Sequence, residues 1–157
     1  MSDHRDPLPR PYFVFFSVIE PALTYAGAIY AVVAPRVYFS SLFPRSLASV
    51  PSIAHPAGVM ATRQLGSCFF LFALFGSVLL PQMRTVLHPD ARSFELFVET
   101  YLACLALADL THIGFTLYDL GFDGATKPFV HWNQLVVGNV VVTLALFSVR
   151  VLWVKSN

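Results

Sequence analysis

The sequence predicts an all-α fold, an integral membrane four-helix bundle, and two observations carry that prediction. The first is composition: the 157 residues are 56% hydrophobic, 15% aromatic and only 12% charged, with a mean hydropathy of +0.64. A soluble globular chain is about a quarter charged, and an apolar excess of this size cannot be hidden in the core of one small domain. The second is length: four segments each supply the roughly 20 apolar residues that a helix needs to cross the hydrocarbon. A formal net charge of +1 argues against nucleic-acid binding, which rests on many cationic contacts to phosphate. No nucleic-acid partner is expected.

The chain reads as a single transmembrane domain over 1–157, with spans at residues 11–34, 57–80, 94–118 and 130–154. Each span ends on helix punctuation: Pro35, Pro81, the Asp119-Leu120-Gly121 turn with Gly124, and the polar tail Lys155-Ser156-Asn157. The first span is longer than the 7–15 apolar residues typical of a secretory signal, is interrupted by Glu20-Pro21 and precedes no small-residue cleavage site, so it reads as a retained helix. Residues 35–56 carry four prolines among serines and aromatics and read as a loop lying at the interface. Aromatic residues near the span ends, among them Tyr12, Phe13, Tyr38, Tyr118, Phe122, Phe129, Trp132 and Trp153, suit the headgroup level. Cys68 and Cys104 lie in apolar runs without metal or redox spacing and read as buried thiols. No internal repeat or sustained heptad is present.

With four spans, both termini share one side. Arg5, Arg10, Arg84, Arg92, Arg150 and Lys155 then face Arg36, Arg45, Arg63 and Lys127, a bias toward cytoplasmic termini under the positive-inside rule. The expected compartment is the endoplasmic reticulum.

The informative residues are the polar ones inside spans, since an Asp at a helix centre costs about 2.5–3.5 kcal/mol on insertion scales. They are Glu20 in the first span, Arg63 and Gln64 in the second, Glu95, Glu99, Asp109 and His112 in the third, and His131, Asn133, Gln134 and Asn139 in the fourth. At 1.5 Å per residue from the terminal side, Asp109 and Asn139 fall at about 22 Å, Arg63 and Gln64 at about 25 Å and Glu20 at about 14 Å. Glu95, Glu99, Asp109 and His112 fit one arc of roughly 140°, a polar stripe that predicts a cavity between the second, third and fourth spans.

Within that layer Arg63 is the expected partner of Asp109, either as a structural ion pair or as the cation that holds Asp109 ionised. Asp109 and His112, three residues apart, share a face and can act as a general acid/base pair. Glu20 precedes Pro21, which opens the carbonyl of Ser17 and kinks the helix around a carboxyl group. Without a partner, such a buried carboxyl keeps its proton and can donate it. The alternative is a hydrogen-bonded kink residue without chemistry. Glu95 suits a helix N-terminus, and the run Thr100, Cys104, Ala108 and His112 reads as a face for close helix packing. Asp109 and His112 lack further ligands in paired Glu-x-x-His spacing, so neither a metal nor another cofactor is expected. No nucleophile elbow, phosphate loop, zinc-protease motif or dinucleotide fingerprint occurs.

The stretch Tyr12-Phe13-Val14-Phe15-Phe16-Ser17-Val18-Ile19-Glu20-Pro21, the stretch Ala108-Asp109-Leu110-Thr111-His112, and a last span opening His131-Trp132-Asn133 with Gly138-Asn139 resemble a family of small four-span fungal membrane proteins of unassigned function. The resemblance implies the architecture and no reaction. More loosely, the chain is similar to fungal membrane terpene cyclases and sterol-isomerase-like membrane proteins, which use intramembrane acids to protonate an epoxide or alkene. The expected function is acid/base opening of an epoxide on a lipophilic polyketide or terpenoid of secondary metabolism, by hydrolysis or cyclisation. Glu20 is the expected acid, and Asp109 with His112 the base. Arg63, Gln64, Glu99, Trp132, Asn133 and Asn139 are expected to support or bind substrate, and the expected partners are that small molecule and membrane lipids. The alternatives are a non-enzymatic accessory protein whose intramembrane charges are structural and, third, a small transporter or channel.

Overall fold

The computed structural model describes residues 8–42, 56–87 and 90–156. Among the described residues six helices follow in order: α1 (Arg10–Val33), α2 (Pro35–Ser41), α3 (Pro56–Leu87), α4 (Ala91–Thr126), α5 (Pro128–His131) and α6 (Gln134–Lys155). Four of them, α1, α3, α4 and α6, are long and apolar enough to cross a membrane. Even the 22 residues of α6 extend about 33 Å at 1.5 Å per residue, enough for the hydrocarbon. The protein is an all-helical integral membrane bundle, as its composition implies.

The element ends differ from the expected ones for local reasons. Residues expected to begin a loop instead form α2, because Pro35 at its start has a φ suited to the first helical turn and no amide left unsatisfied there. Residues 43–55 of that expected loop, with Arg45 and His55, lie outside the described residues, as do His4, Arg5 and His88. Pro81 does not stop the second span. The helix absorbs it through a π turn at Phe75–Leu79, in which the Leu80 amide bonds the Phe75 carbonyl, and continues to Leu87. The third span starts earlier than expected, capped by Asp90, whose Oδ1 accepts the Ser93 amide at 3.1 Å. The Ser93 hydroxyl and amide hold the Asp90 carboxyl below its ordinary value. The turn expected after this span is a break at Gly121, whose φ of 66° is a left-handed conformation that glycine adopts without strain.

Two helical hairpins make up the bundle, α1 along α3 and α4 along α6. Small residues let the first pair approach closely. A Cβ on Gly66 would stand 2.8 Å from Val32 Cγ2, and one on Gly76 would stand 2.6 Å from Pro21 Cγ and 2.8 Å from the Phe16 carbonyl oxygen. With little hydrophobic force between helices in lipid, such backbone proximity is a main source of association. The Tyr25 hydroxyl also meets Ser77 Oγ at 3.0 Å across this pair. By contrast Thr100, Cys104 and Ala108, expected to form a packing face, point away from the bundle. Both cysteines are exposed rather than buried.

All four spans meet at the terminal end in a core of Leu8, Phe16, Leu80, Phe94, Val98, Leu102 and Trp153. Trp153 and Tyr38, expected at headgroup level, are buried. Trp153 lies on the inner face of α6, one turn beyond Arg150. Burial pushes the Tyr38 hydroxyl up to about 12, so it stays neutral where α2 rests on the bundle.

Candidate functional site

Glu20 enters the bundle on a distorted turn. Pro21 has no amide hydrogen, and the five residues Phe15–Ile19 before it form a π turn in which the Glu20 amide reaches back to the Phe15 carbonyl. Ser17 bonds the Phe13 carbonyl at 2.6 Å through its hydroxyl, an arrangement that bends helices. The turn brings the Glu20 carboxylate to Arg150 of α6. Asp109 comes to the same guanidinium from α4: Arg150 donates from Nη1 to Asp109 Oδ2 and from Nη2 to Glu20 Oε1. The Arg150 side chain is 2% exposed and the two carboxylates 12% each. Glu20 Oε2 and Arg150 Nε are buried without a hydrogen-bond partner among the described residues.

Arg150 therefore takes the place expected for Arg63. The expected pairing used helical depth alone, which set Asp109 and Arg63 in one layer and Glu20 about 8 Å shallower. A long arginine side chain reaches several ångströms from its own Cα, and from α6 it gathers both carboxylates to one level. Arg63 instead lies on the exposed side of α3, where it lines a groove with Gln64. The cavity expected between the second, third and fourth spans is thus replaced by a junction of α1, α4 and α6. Removing Arg150 from the terminal-side cations, since it is buried in the bundle, also shrinks the bias on which the expected orientation rested.

One turn along α4 from Asp109, the half-buried His112 lies beside the half-buried Asn139 of α6. Asn139 sits in a third π turn, Gly138–Val142. His112 and Asn139 are both half-buried, though the cavity in which Asn139 was expected to join Arg63 is absent among the described residues. Glu99 lies at the far edge of the 140° arc estimated from helical geometry, and its side is exposed. Trp132 and Asn133 organise backbone. Trp132 Nε1 donates to the Gly124 carbonyl at 2.9 Å. Asn133 caps α6, its Oδ1 accepting the Leu135 and Val136 amides at 3.0 Å each, while its Nδ2 donates to the Ser41 carbonyl at the end of α2.

Arg150 is the residue that sequence reasoning missed. Its signal was present, since it is the sole ionisable residue in the stretch 135–154. An intramembrane arginine requires a buried partner unless it can reach the interface, and its nearness to the end of the span made the interface the simpler reading.

The chain belongs to the family described as Domain of unknown function (DUF7704), whose model matches residues 6–156. No curated protein and no solved structure matches it.

Proposed function

We propose that this member of the DUF7704 family is a membrane-embedded acid/base enzyme acting on a lipophilic small molecule, with epoxide opening as the reaction. The observation that supports this reading is the sharing of one buried guanidinium by two carboxylates, with Glu20 Oε2 left unbonded. Two carboxylates and one guanidinium are electrically balanced when a single proton is held between them, and a buried site of low dielectric favours that balance. Glu20 Oε2 is free to carry the proton and give it to an epoxide oxygen as the C–O bond breaks. Asp109, one turn from His112, receives the proton of the attacking water or internal hydroxyl. Transfer from Asp109 back to Glu20 then restores the starting state. Arg150 is the positioning residue.

A second reading is favoured by the depth of Arg150: the triad ties α1 to α4 and α6 and serves only to hold the hairpins together, as in a non-enzymatic accessory protein. Incubating protein-containing membranes with a panel of lipophilic polyketide and terpenoid epoxides separates the two. The enzymatic reading predicts diols or cyclised ethers, and a loss of about 10²–10⁴ in rate in Glu20→Gln and Asp109→Asn with the bundle still folded. An unchanged panel at full folded yield contradicts it and leaves the structural reading.

A further inference from the structure

A groove of about 430 Å³ between α2 and the beginning of α3 shares no lining residue with the triad, and it is lined by Arg36, Arg63, Gln64 and Ser67 with Val59 and Met60. Arg36 comes from α2 and Arg63 from α3, both exposed, and no carboxylate is among the described residues that line the groove. Two cations on one groove, with no carboxylate among its described lining residues, give it a positive potential that favours an anion.

Packing beside the groove fixes α2 on the bundle. Phe39 packs on Gly58, where a Cβ would stand 3.2 Å from the ring. Tyr38 is buried against Tyr30 with 5.4 Å between ring centroids. Arg36 precedes Phe39 by three residues, so both lie on one side of α2, and the contact of Phe39 on α3 holds Arg36 over the groove.

Depth identifies the ligand class. Arg63 stands about 10 Å along α3 from Pro56, and Ser67 one turn further, so the groove runs from headgroup level toward the hydrocarbon. Its cations can reach an interface, and Val59 and Met60 lie on the headgroup side of Arg63. A phosphate oxygen pair matches the planar fork of a guanidinium. A phospholipid held there keeps its acyl chains in the hydrocarbon beyond the groove, an anchorage that a dissolved phosphate ion lacks.

We propose that this groove binds the phosphate headgroup of an anionic membrane phospholipid, with Arg36 and Arg63 on the phosphate and the acyl chains continuing into the hydrocarbon. The proposal does not depend on the acid/base reading of the triad.

The test is native mass spectrometry of the full chain released from detergent after exposure to phosphatidylglycerol or phosphatidylcholine of matched acyl chains. Wild type is expected to retain phosphatidylglycerol preferentially, by about 25-fold if each arginine supplies about fivefold. Arg36→Gln and Arg63→Gln each lower the preference about fivefold, and the double variant abolishes it. Arg10→Gln, at the opposite end of α1, leaves the preference unchanged. Both groove arginines are exposed, so the variants are expected to keep the helical circular dichroism of wild type; should the double variant not fold, the two single variants decide. Equal retention of the two lipids, or an undiminished preference without the arginines, overturns the proposal. Displacement of the lipid by millimolar sodium phosphate overturns the lipid as the ligand and assigns the groove to a free anion.

Discussion

From Phe15 to Pro21 the chain reads Phe-Phe-Ser-Val-Ile-Glu-Pro, and from Phe75 to Pro81 it reads Phe-Gly-Ser-Val-Leu-Leu-Pro. Each stretch forms a π turn whose closing amide, on Glu20 or Leu80, reaches back five residues to a phenylalanine carbonyl. In each the central serine bonds a carbonyl four residues earlier, Ser17 to Phe13 at 2.6 Å and Ser77 to Ala73 at 2.7 Å. The two turns pack on each other, Gly76 against Pro21 and the Phe16 carbonyl. They differ at the residue before the proline. Leu80 enters the apolar core, whereas Glu20 reaches Arg150. A π turn is therefore a way for these helices to pass a proline, with no chemistry of its own. The functional content lies in the carboxylate placed on one of them and in the arginine that meets it.

The largest effect should come from removing that arginine. Arg150→Met leaves two buried carboxylates without their shared cation and is expected to destabilise the bundle by about 3–5 kcal/mol, read as a fall in the denaturation midpoint in detergent.

The comparison is sharpened by restoring the missing amides one at a time. Without its proline, each turn can close as regular α-helix and slip by one residue, about 100° of rotation. At Pro81 the slip exchanges Leu80 for Leu79, so Pro81→Ala should change stability by no more than about 1 kcal/mol. At Pro21 it exchanges Glu20 for Ile19 and leaves Arg150 short of a partner, so Pro21→Ala should cost about 1–3 kcal/mol. Paired unfolding curves of the two variants check the difference, and equal losses would remove the distinction drawn between the turns.

The smallest effect lies outside the membrane, at Asp90. Its carboxyl is held below the ordinary value of 3.8 by Ser93. The contribution of the ionised cap is thus complete above that value and is lost as pH falls through the depressed one. Thermal midpoints measured in detergent from pH 5 downward should fall further for wild type than for Asp90→Asn.

Composition and span length made the membrane bundle legible, because the bilayer imposes both on any spanning helix. Glu20, Asp109 and His112 were legible as well, since an ionisable residue in hydrocarbon stands out against its neighbours. What could not be read was which partner each would find. Helical rise assigns depth but not rotation between helices, and the π turns shift the register that a regular helix would keep. Arg63 therefore took the role that belongs to Arg150. The short likeness between the two turns also stayed hidden, because seven residues fall below the scale at which a structural repeat is sought.

The central claim is that Arg150 is the common partner of Glu20 and Asp109, and a rescue measurement tests it most directly. Unfolding free energies are compared for Arg150→Met alone and for Arg150→Met combined with Glu20→Gln and Asp109→Asn. Neutralising both carboxyls removes the charges that the single variant strands, so the triple variant should recover most of the about 3–5 kcal/mol lost. A triple variant no more stable than Arg150→Met, or an Arg150→Met protein as stable as wild type, would contradict the account.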